Sequence, residues 1–212
     1  NVLASTPFDF AQAIEGLSNV SYCWHANGNF ALLRLNGFWR ASLYYDPRVT
    51  PEQAASYDAV QRELEAICPG HGPFDIIDSR PYRVHQRLVS TYRRGRLLLA
   101  GDAAHINVPT GGMGMNGGIH DAFSLVGALV DVLSGGPEEQ LDRYSRQRRT
   151  VAEKDILAQA GRNHSRMTQT DDASRRASLQ ALAAIVDDPV RARAHLRKTS
   201  MMDGLDLAAS VQ

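Results

Sequence analysis

Cysteine is scarce in this chain: Cys23 and Cys68 are the only two in 212 residues, and they stand outside any C-x-x-C spacing. That excludes a disulfide-built scaffold and fits a reducing, cytoplasmic compartment. An excess of charge of one sign is also missing, because 23 Lys and Arg balance 23 Asp and Glu. The balance removes the electrostatic case for nucleic acid or an anionic membrane surface. No apolar run reaches the length of a bilayer span. No G-x-S-x-G elbow is present, so a Ser/His/Asp hydrolase has no support. The seven histidines include no H-x-x-x-H pair and no cysteine joins them, so no metal is expected, although His105 and His120 lie near Asp102 and Asp121. His25 and His85 read as hydrogen-bonded sheet histidines.

A dinucleotide fingerprint directly after a strand is lacking too. Gly112-Met-Gly-Met-Asn-Gly117 spells G-x-G-x-x-G, but Gly101-Asp-Ala-Ala-His105 separates it from the preceding apolar segment. No second strand ending in an acid follows, which the dinucleotide motif requires about twenty residues on. What is there instead is a buried strand expected over Leu97 to Ala100, an acid-bearing turn, a glycine-rich loop and a helix start. The small residues Ala103, Ala104, Gly111, Gly112, Gly114, Gly117 and Gly118 let a flat ligand approach the main chain. A helix N-terminus behind such a loop presents backbone amides to an anionic or electron-rich group.

The run Gly101-Asp102-Ala-Ala-His105, Pro109, Gly111-Gly112, Gly114, Asn116 and Asp121-Ala122 resembles the second flavin fingerprint of single-component FAD-dependent aromatic monooxygenases, the para-hydroxybenzoate hydroxylase type. The match is dense over about a quarter of the chain. The resemblance implies that Gly101 and Asp102 hold the ribityl or ribose hydroxyls of FAD. It implies that Pro109, Gly111, Gly112, Gly114, Met115 and Asn116 sit against the isoalloxazine ring near its C2 carbonyl. A carboxylate accepts from hydroxyls, and a helix dipole favours negative charge on the ring. His105 is then a turn residue of the fingerprint.

The flanking elements follow from local signals. Asn36-Gly37 predicts a two-residue hairpin within Phe30 to Tyr45, with Leu35 opposite Phe38, Leu33 opposite Arg40 and Ala31 opposite Ser42 on one face. The other face pairs Leu32 with Ala41 and Arg34 with Trp39, an arrangement open to a cation–π contact. Val20 to His25 adds a neighbouring strand. In the resembling family this sheet floors the substrate pocket, which implies Leu33, Arg40, Ser42 and the loop residue Pro109 as substrate-binding. Thr50-Pro51-Glu-Gln53 opens a helix with a capping box, its stripe is Tyr57, Val60, Leu64 and Ile67, and Cys68-Pro-Gly70 ends it. Tyr82 to Val89 alternates as a strand. Arg93-Arg-Gly95-Arg reads as a solvated turn.

Ile119, Ala122, Phe123, Val126, Leu129, Val130 and Leu133 predict a helix apolar on most of its circumference and therefore deeply buried. After Gly135-Gly-Pro137, an Arg-rich helix from about Glu138 towards Gln169 reads as a solvated face. Asp172 caps a helix carrying Leu179, Leu182, Ile185 and Val186. Asp188-Pro189 starts the last helix, which ends around Gly204.

The expected fold class is α+β (α/β in the full protein). Three regions are read: 1–92 as substrate-domain sheet and helix, 93–134 as the second FAD-binding motif and helix, and 135–212 as a C-terminal helical region. The resemblance implies an FAD- and NAD(P)H-dependent monooxygenase hydroxylating an aromatic or similar electron-rich small molecule through a flavin hydroperoxide, with O2 as co-substrate. No residue reads as a general base. The N-terminal dinucleotide-binding segment of that family is expected to be absent from these 212 residues. A partner half, in the same or a separate chain, would then be needed, and this piece alone would be inactive. The alternatives are a non-redox FAD-containing cyclase or binding protein of the same fold, or an accessory half of a split flavoprotein.

Overall fold

Asn36 and Gly37 turn the chain between strands β3 (Gly28–Leu35) and β4 (Phe38–Leu43), with Gly37 at φ 82°. The register is the one expected from a two-residue loop: Leu35 faces Phe38, Arg34 faces Trp39 and Leu33 faces Arg40. The computed structural model describes residues 1–25, 28–46, 48–169 and 171–212, and the chain divides into two units, Asn1–Arg83 and Val84–Gln212. The side chain of His25 lies outside the described set.

In the first unit β1 (Val2–Thr6) and β2 (Val20–His25) complete the central sheet, and β5 (Asp78–Pro81) lies at its edge. The order is β2-β3-β4-β1-β5, each neighbour antiparallel. Strand alternation sends Val2, Ala4, Phe30, Leu32, Trp39, Ala41 and Leu43 into the core. There they meet Val60 and Leu64 of the helix Tyr57–Ile67 and an aromatic cluster. Phe8 packs edge-on against Phe10 at 5.2 Å and Phe74 at 5.0 Å, geometry that the ring quadrupole favours. The Arg34 guanidinium lies 5.7 Å from the Trp39 ring centroid.

The expected single helix after Thr50 is two. Thr50 and Gln53 form the capping box of α1 (Pro51–Ala54), and then Ser56 caps α2 (Tyr57–Ile67) afresh. Ser56 accepts from the Ala59 amide and so offers the backbone a new start. The alternating segment Tyr82 to Val89 is not one strand. Its strand pairing is at β6 (Arg87–Leu88), while Tyr82 exchanges backbone hydrogen bonds with Asn1 as an extension of the first unit's sheet.

In the second unit β6 pairs with β9 (His105–Ile106), and β7 (Arg93–Arg94) forms a tight hairpin with β8 (Leu97–Leu98). The turn between them is not simply solvated. Arg93 is nearly buried, with its guanidinium 2.8 Å from Glu138 and 3.0 Å from Asp142. The expected buried strand Leu97 to Ala100 is a strand only at its first two residues, with the Leu99 amide still donating to the Tyr92 carbonyl at 2.9 Å, and Leu97 is 73% exposed. Among the described residues β7 alone pairs with it.

Helix α3 (Met113–Leu133) corrects a second burial expectation. Met115, Ile119, Phe123, Val126, Val130 and Leu133 form one exposed stripe, with Phe123 at 85%. An all-round apolar helix is buried only if every side finds a neighbour, and this side has none among the described residues.

Helix α4 (Glu139–Val151) runs through a π-turn (Ala152–Leu157) into α5 (Ala158–Met167). The solvated face is there, with Glu139, Asp142, Arg143 and Arg146 exposed, but the opposite side is core: Leu141, Tyr144, Ser145, Arg148 and Val151 are buried. Tyr144 donates to the Leu99 carbonyl at 2.6 Å, and the Tyr92 amide donates to Ser145 Oγ at 3.0 Å, so α4 holds both ends of the β7–β8 hairpin. Asp171, not Asp172, caps α6 (Asp172–Val186). Asp188 caps α7 (Pro189–Thr199). The chain continues past the expected end through Met201, at φ 62°, into α8 (Met202–Ser210). No helix among the described residues is long and apolar enough to cross a membrane.

The face assignment is testable. Leu32→Ala should cost about 2–5 kcal/mol, the usual range for a buried Leu, and Leu33→Ala well under half of that. Denaturant unfolding followed by tryptophan fluorescence measures both, and equal losses would reverse the faces.

Candidate functional site

Gly101 at φ 59° turns the chain out of Ala100, and a short 3-10 turn (Gly101–Ala103) presents Asp102 to solvent. A side chain at Gly118 would crowd the turn, since a Cβ built there lies 3.2 Å from the Gly101 Cα, whereas one at Gly101 would make only an ordinary contact and is disfavoured by the positive φ. The acid-bearing turn therefore rests directly on α3, and glycine at 118 permits the approach.

The loop then reaches the helix start through Gly111 at φ 92° and Gly112 at φ 66°. Gly112 is the N-cap residue, lies in the left-handed region and has no side chain to cap the helix. Its own amide donates to the Pro109 carbonyl at 3.0 Å. The first-turn amides of α3 have no acceptor within the helix, and they open onto a surface where Pro109, Gly111, Gly112, Met115 and Asn116 are exposed. Asn116 donates back to the Gly112 carbonyl at 3.0 Å. The loop is braced from α5, where Asn163 donates to the Thr110 carbonyl at 3.4 Å and accepts from Gln159 at 3.0 Å.

Beneath this surface lies a buried ion pair. Asp121 is fully buried, and its Oδ1 accepts from Arg148 Nε at 2.6 Å. Its Oδ2 accepts from the Gly101 amide and from His105 Nε2, each at 3.0 Å. An ionised carboxylate only accepts, so His105 Nε2 donates, and Nδ1 has no partner among the described residues. His105 is thus a buried anchor more than a turn residue, its ring stacked at 6.3 Å on Tyr92. Burial pulls the Asp121 carboxyl upward. The His105 and Arg148 hydrogen bonds, the Arg148 charge and the Gly101 amide outweigh it and hold the group below the usual carboxylate range.

Gly101, Asp102, Pro109, Gly111, Gly112, Gly114, Met115 and Asn116 therefore lie along one turn, one loop and one helix start of the second unit. Leu33, Arg40 and Ser42 share the half-exposed outward face of the sheet in the first unit, where Arg40 Nε donates to Ser5 Oγ at 3.4 Å. Pro109 belongs to the second unit. Among the described residues no cluster suited to a metal ion is present, and His85 is exposed. Sequence reasoning missed Arg148. The signal was available: Leu141, Tyr144, Ser145, Arg148 and Val151 follow helical spacing, so Arg148 sits on an otherwise apolar or small-residue stripe.

The arrangement suits a flat, electron-rich group bearing hydroxyls. An uncapped helix start supplies N–H donors and positive potential, glycines admit close approach, and an exposed carboxylate stands ready to accept.

A second buried acid, Asp155, has the opposite electrostatics. Burial raises it first and the Asp203 charge adds to that, against Lys198, Arg162 and Arg148, while Oδ2 has no partner among the described residues. A raised folded-state value means stability that is present at low pH and lost as pH rises through it. Asp155→Asn should therefore raise the melting temperature at neutral pH and leave it nearly unchanged near pH 3. Asp121, whose value is lowered, contributes stability that falls away only in acid. Melting curves from pH 3 to 8 check both signs.

A family model described as an FAD binding domain matches residues 2–159. A para-nitrophenol 4-monooxygenase from a Pseudomonas species is 46% identical over 166 residues, covering 66% of this chain and 41% of that protein. A 6-hydroxy-3-succinoylpyridine 3-monooxygenase from Pseudomonas putida is 34% identical over 149 residues, covering 70% of this chain and 37% of that protein. The crystal structure of a p-nitrophenol 4-monooxygenase from Pseudomonas putida superposes with a TM-score of 0.79 at 30% identity, over 92% of this chain and 51% of that one. The chain thus spans about two fifths of the length of the curated relatives and about half of the solved one. With the match running through the sheet, the acid-bearing turn, the glycine loop and most of the π-turned helix, the chain belongs to the FAD binding domain family.

Proposed function

We propose that this chain is the substrate-sheet and flavin-ring portion of an FAD- and NAD(P)H-dependent monooxygenase that hydroxylates an aromatic or similar electron-rich small molecule. The observation that carries the reading is the exposed, uncapped start of α3 beside the exposed Asp102, both tied to the buried Asp121. When bound, FAD reduced by NAD(P)H would supply the activation of O2. Asp102 would accept from its ribityl or ribose hydroxyls. The first-turn amides of α3 would face the C2 carbonyl side of the ring, where the helix dipole favours the negative charge of the reduced state. Pro109, Gly111 and Gly112 would line the ring edge, where the two glycines carry no side chain to displace it.

The outward sheet face offers Leu33, Arg40 and Ser42 to substrate. The Arg40 guanidinium is oriented by Ser5 and lies 5.9 Å from the Phe38 ring centroid. No group among these residues serves as a general base, so their work is positioning and exclusion of water.

The remaining length of the relatives bears on partners. The exposed stripe from Met115 to Leu133 is the face we assign to an N-terminal FAD-binding half, in the same or a separate chain. Residues 1–212 expressed alone should then be aggregation-prone and retain little FAD, and supplying the upstream coding sequence should restore both solubility and yellow colour. A soluble, monomeric, flavin-bound 1–212 would overturn that assignment.

For the site itself, Asp102→Ala in the complete protein should weaken FAD binding by roughly 1.5–3 kcal/mol, the worth of a hydrogen bond to a charged group, with little change in melting temperature. Flavin retention on gel filtration reads the first and a thermal scan the second. NAD(P)H-dependent O2 uptake stimulated by a phenolic substrate separates a hydroxylase from a non-redox use of the same fold.

A further inference from the structure

Two surfaces meet the flavin in the reading above, the Asp102 carboxylate and the α3 amides, and they come from different parts of the chain. Their relative position is set from below by one side chain. Asp121 lies on α3 itself, two turns in from the helix start. Its Oδ2 takes the amide of Gly101, the residue just before Asp102, and Nε2 of His105, three residues after it, each at 3.0 Å. The Asp102 turn is therefore clamped on both sides to the helix whose N-terminus forms the other surface. Arg148 closes the arrangement: its Nε bonds Oδ1 at 2.6 Å and its NH2 reaches the Gly117 carbonyl at 3.5 Å. Arg148 is 2% exposed and reaches Asp121 from α4.

We propose that Asp121, with His105 and Arg148 behind it, is the positioning group that holds Asp102 in register with the α3 helix start, and that it acts on FAD binding only through Asp102. The inference rests on the assignment of Asp102 to the FAD hydroxyls. Three donors converge on one carboxylate here. An amide at position 121 provides a single acceptor oxygen and turns an NH2 group towards another donor. The clamp on the turn then loosens while α3 keeps its place.

The test is a double-variant cycle in the complete FAD-loaded protein, reading the FAD dissociation constant by flavin fluorescence and, separately, the melting temperature. Asp121→Asn should raise the dissociation constant about tenfold when Asp102 is present, the effect of one misplaced hydrogen-bonding group. In the Asp102→Ala background the same substitution should change it within about twofold, the range of independent sites. The fall in melting temperature should be equal in both backgrounds, because the buried Arg148 loses its partner in either. A purely structural role would weaken FAD binding by the same factor in both backgrounds, and that result overturns the proposal while leaving the Asp102 assignment standing. An Asp102→Ala variant with unchanged affinity overturns both. Should Asp121→Asn fail to fold, His105→Phe removes one donor while sparing the Arg148 pair, and the same cycle decides by the same criterion, with a smaller factor expected.

Discussion

The second unit depends on one buried negative charge. A carboxylate with no exposed surface is costly to desolvate, and its cost is met only if the groups around it supply charge and hydrogen bonds together. Asp121 receives an Arg148 guanidinium, a His105 ring nitrogen and the Gly101 amide, so a strand, a turn and two helices must all arrive at one point. The small residues nearby follow from that convergence. A Cβ at Gly117 would lie 2.6 Å from the Ile156 side chain and 3.3 Å from the His105 ring, and a Cβ at Gly118 would meet the Gly101 backbone. Glycine at these positions answers packing needs around the ion pair.

The two units are held by different physics. The first is a sheet with an apolar face, closed by α2 and by edge-to-face aromatic contacts. The second is a helical assembly whose core includes Arg148, Asp121, His105 and Asp155 beside Tyr92, Tyr144 and Ile156. Its π-turn brings Ile156 against Gly117 and Asp155 against Gly204, and α5 then carries Asn163 to the Thr110 carbonyl. A π-turn inserted in a helix commonly marks a functional region, and here it phases a bracing side chain onto the glycine loop.

Family membership and geometry meet at the start of α3. The family model covers the sheet, the acid-bearing turn and the loop, while the geometry leaves the α3 start without a side-chain cap and an apolar stripe of the same helix exposed. Both features lie on α3, an exposed helix start at one end and an exposed apolar stripe along its length.

What could be read from the sequence was local. Asn36-Gly37 determined the hairpin and its register, because the turn geometry and the period of the strand admit one pairing. Thr50 with Gln53 and Asp188 with Pro189 marked helix starts through contacts within four residues. The order of turn, glycine loop and helix start in 101–118 was legible for the same reason. Burial was decided by the tertiary structure. The pattern of α3 asks for neighbours on every side, yet Phe123 and Leu133 are exposed because the described fold covers only one side. The Arg-rich pattern of α4 suggests solvent, yet Arg148 is buried because a carboxylate 27 positions away needs its charge. Helical and strand periods record which residues share a face. Which charge answers which across distant segments is settled only when the segments pack.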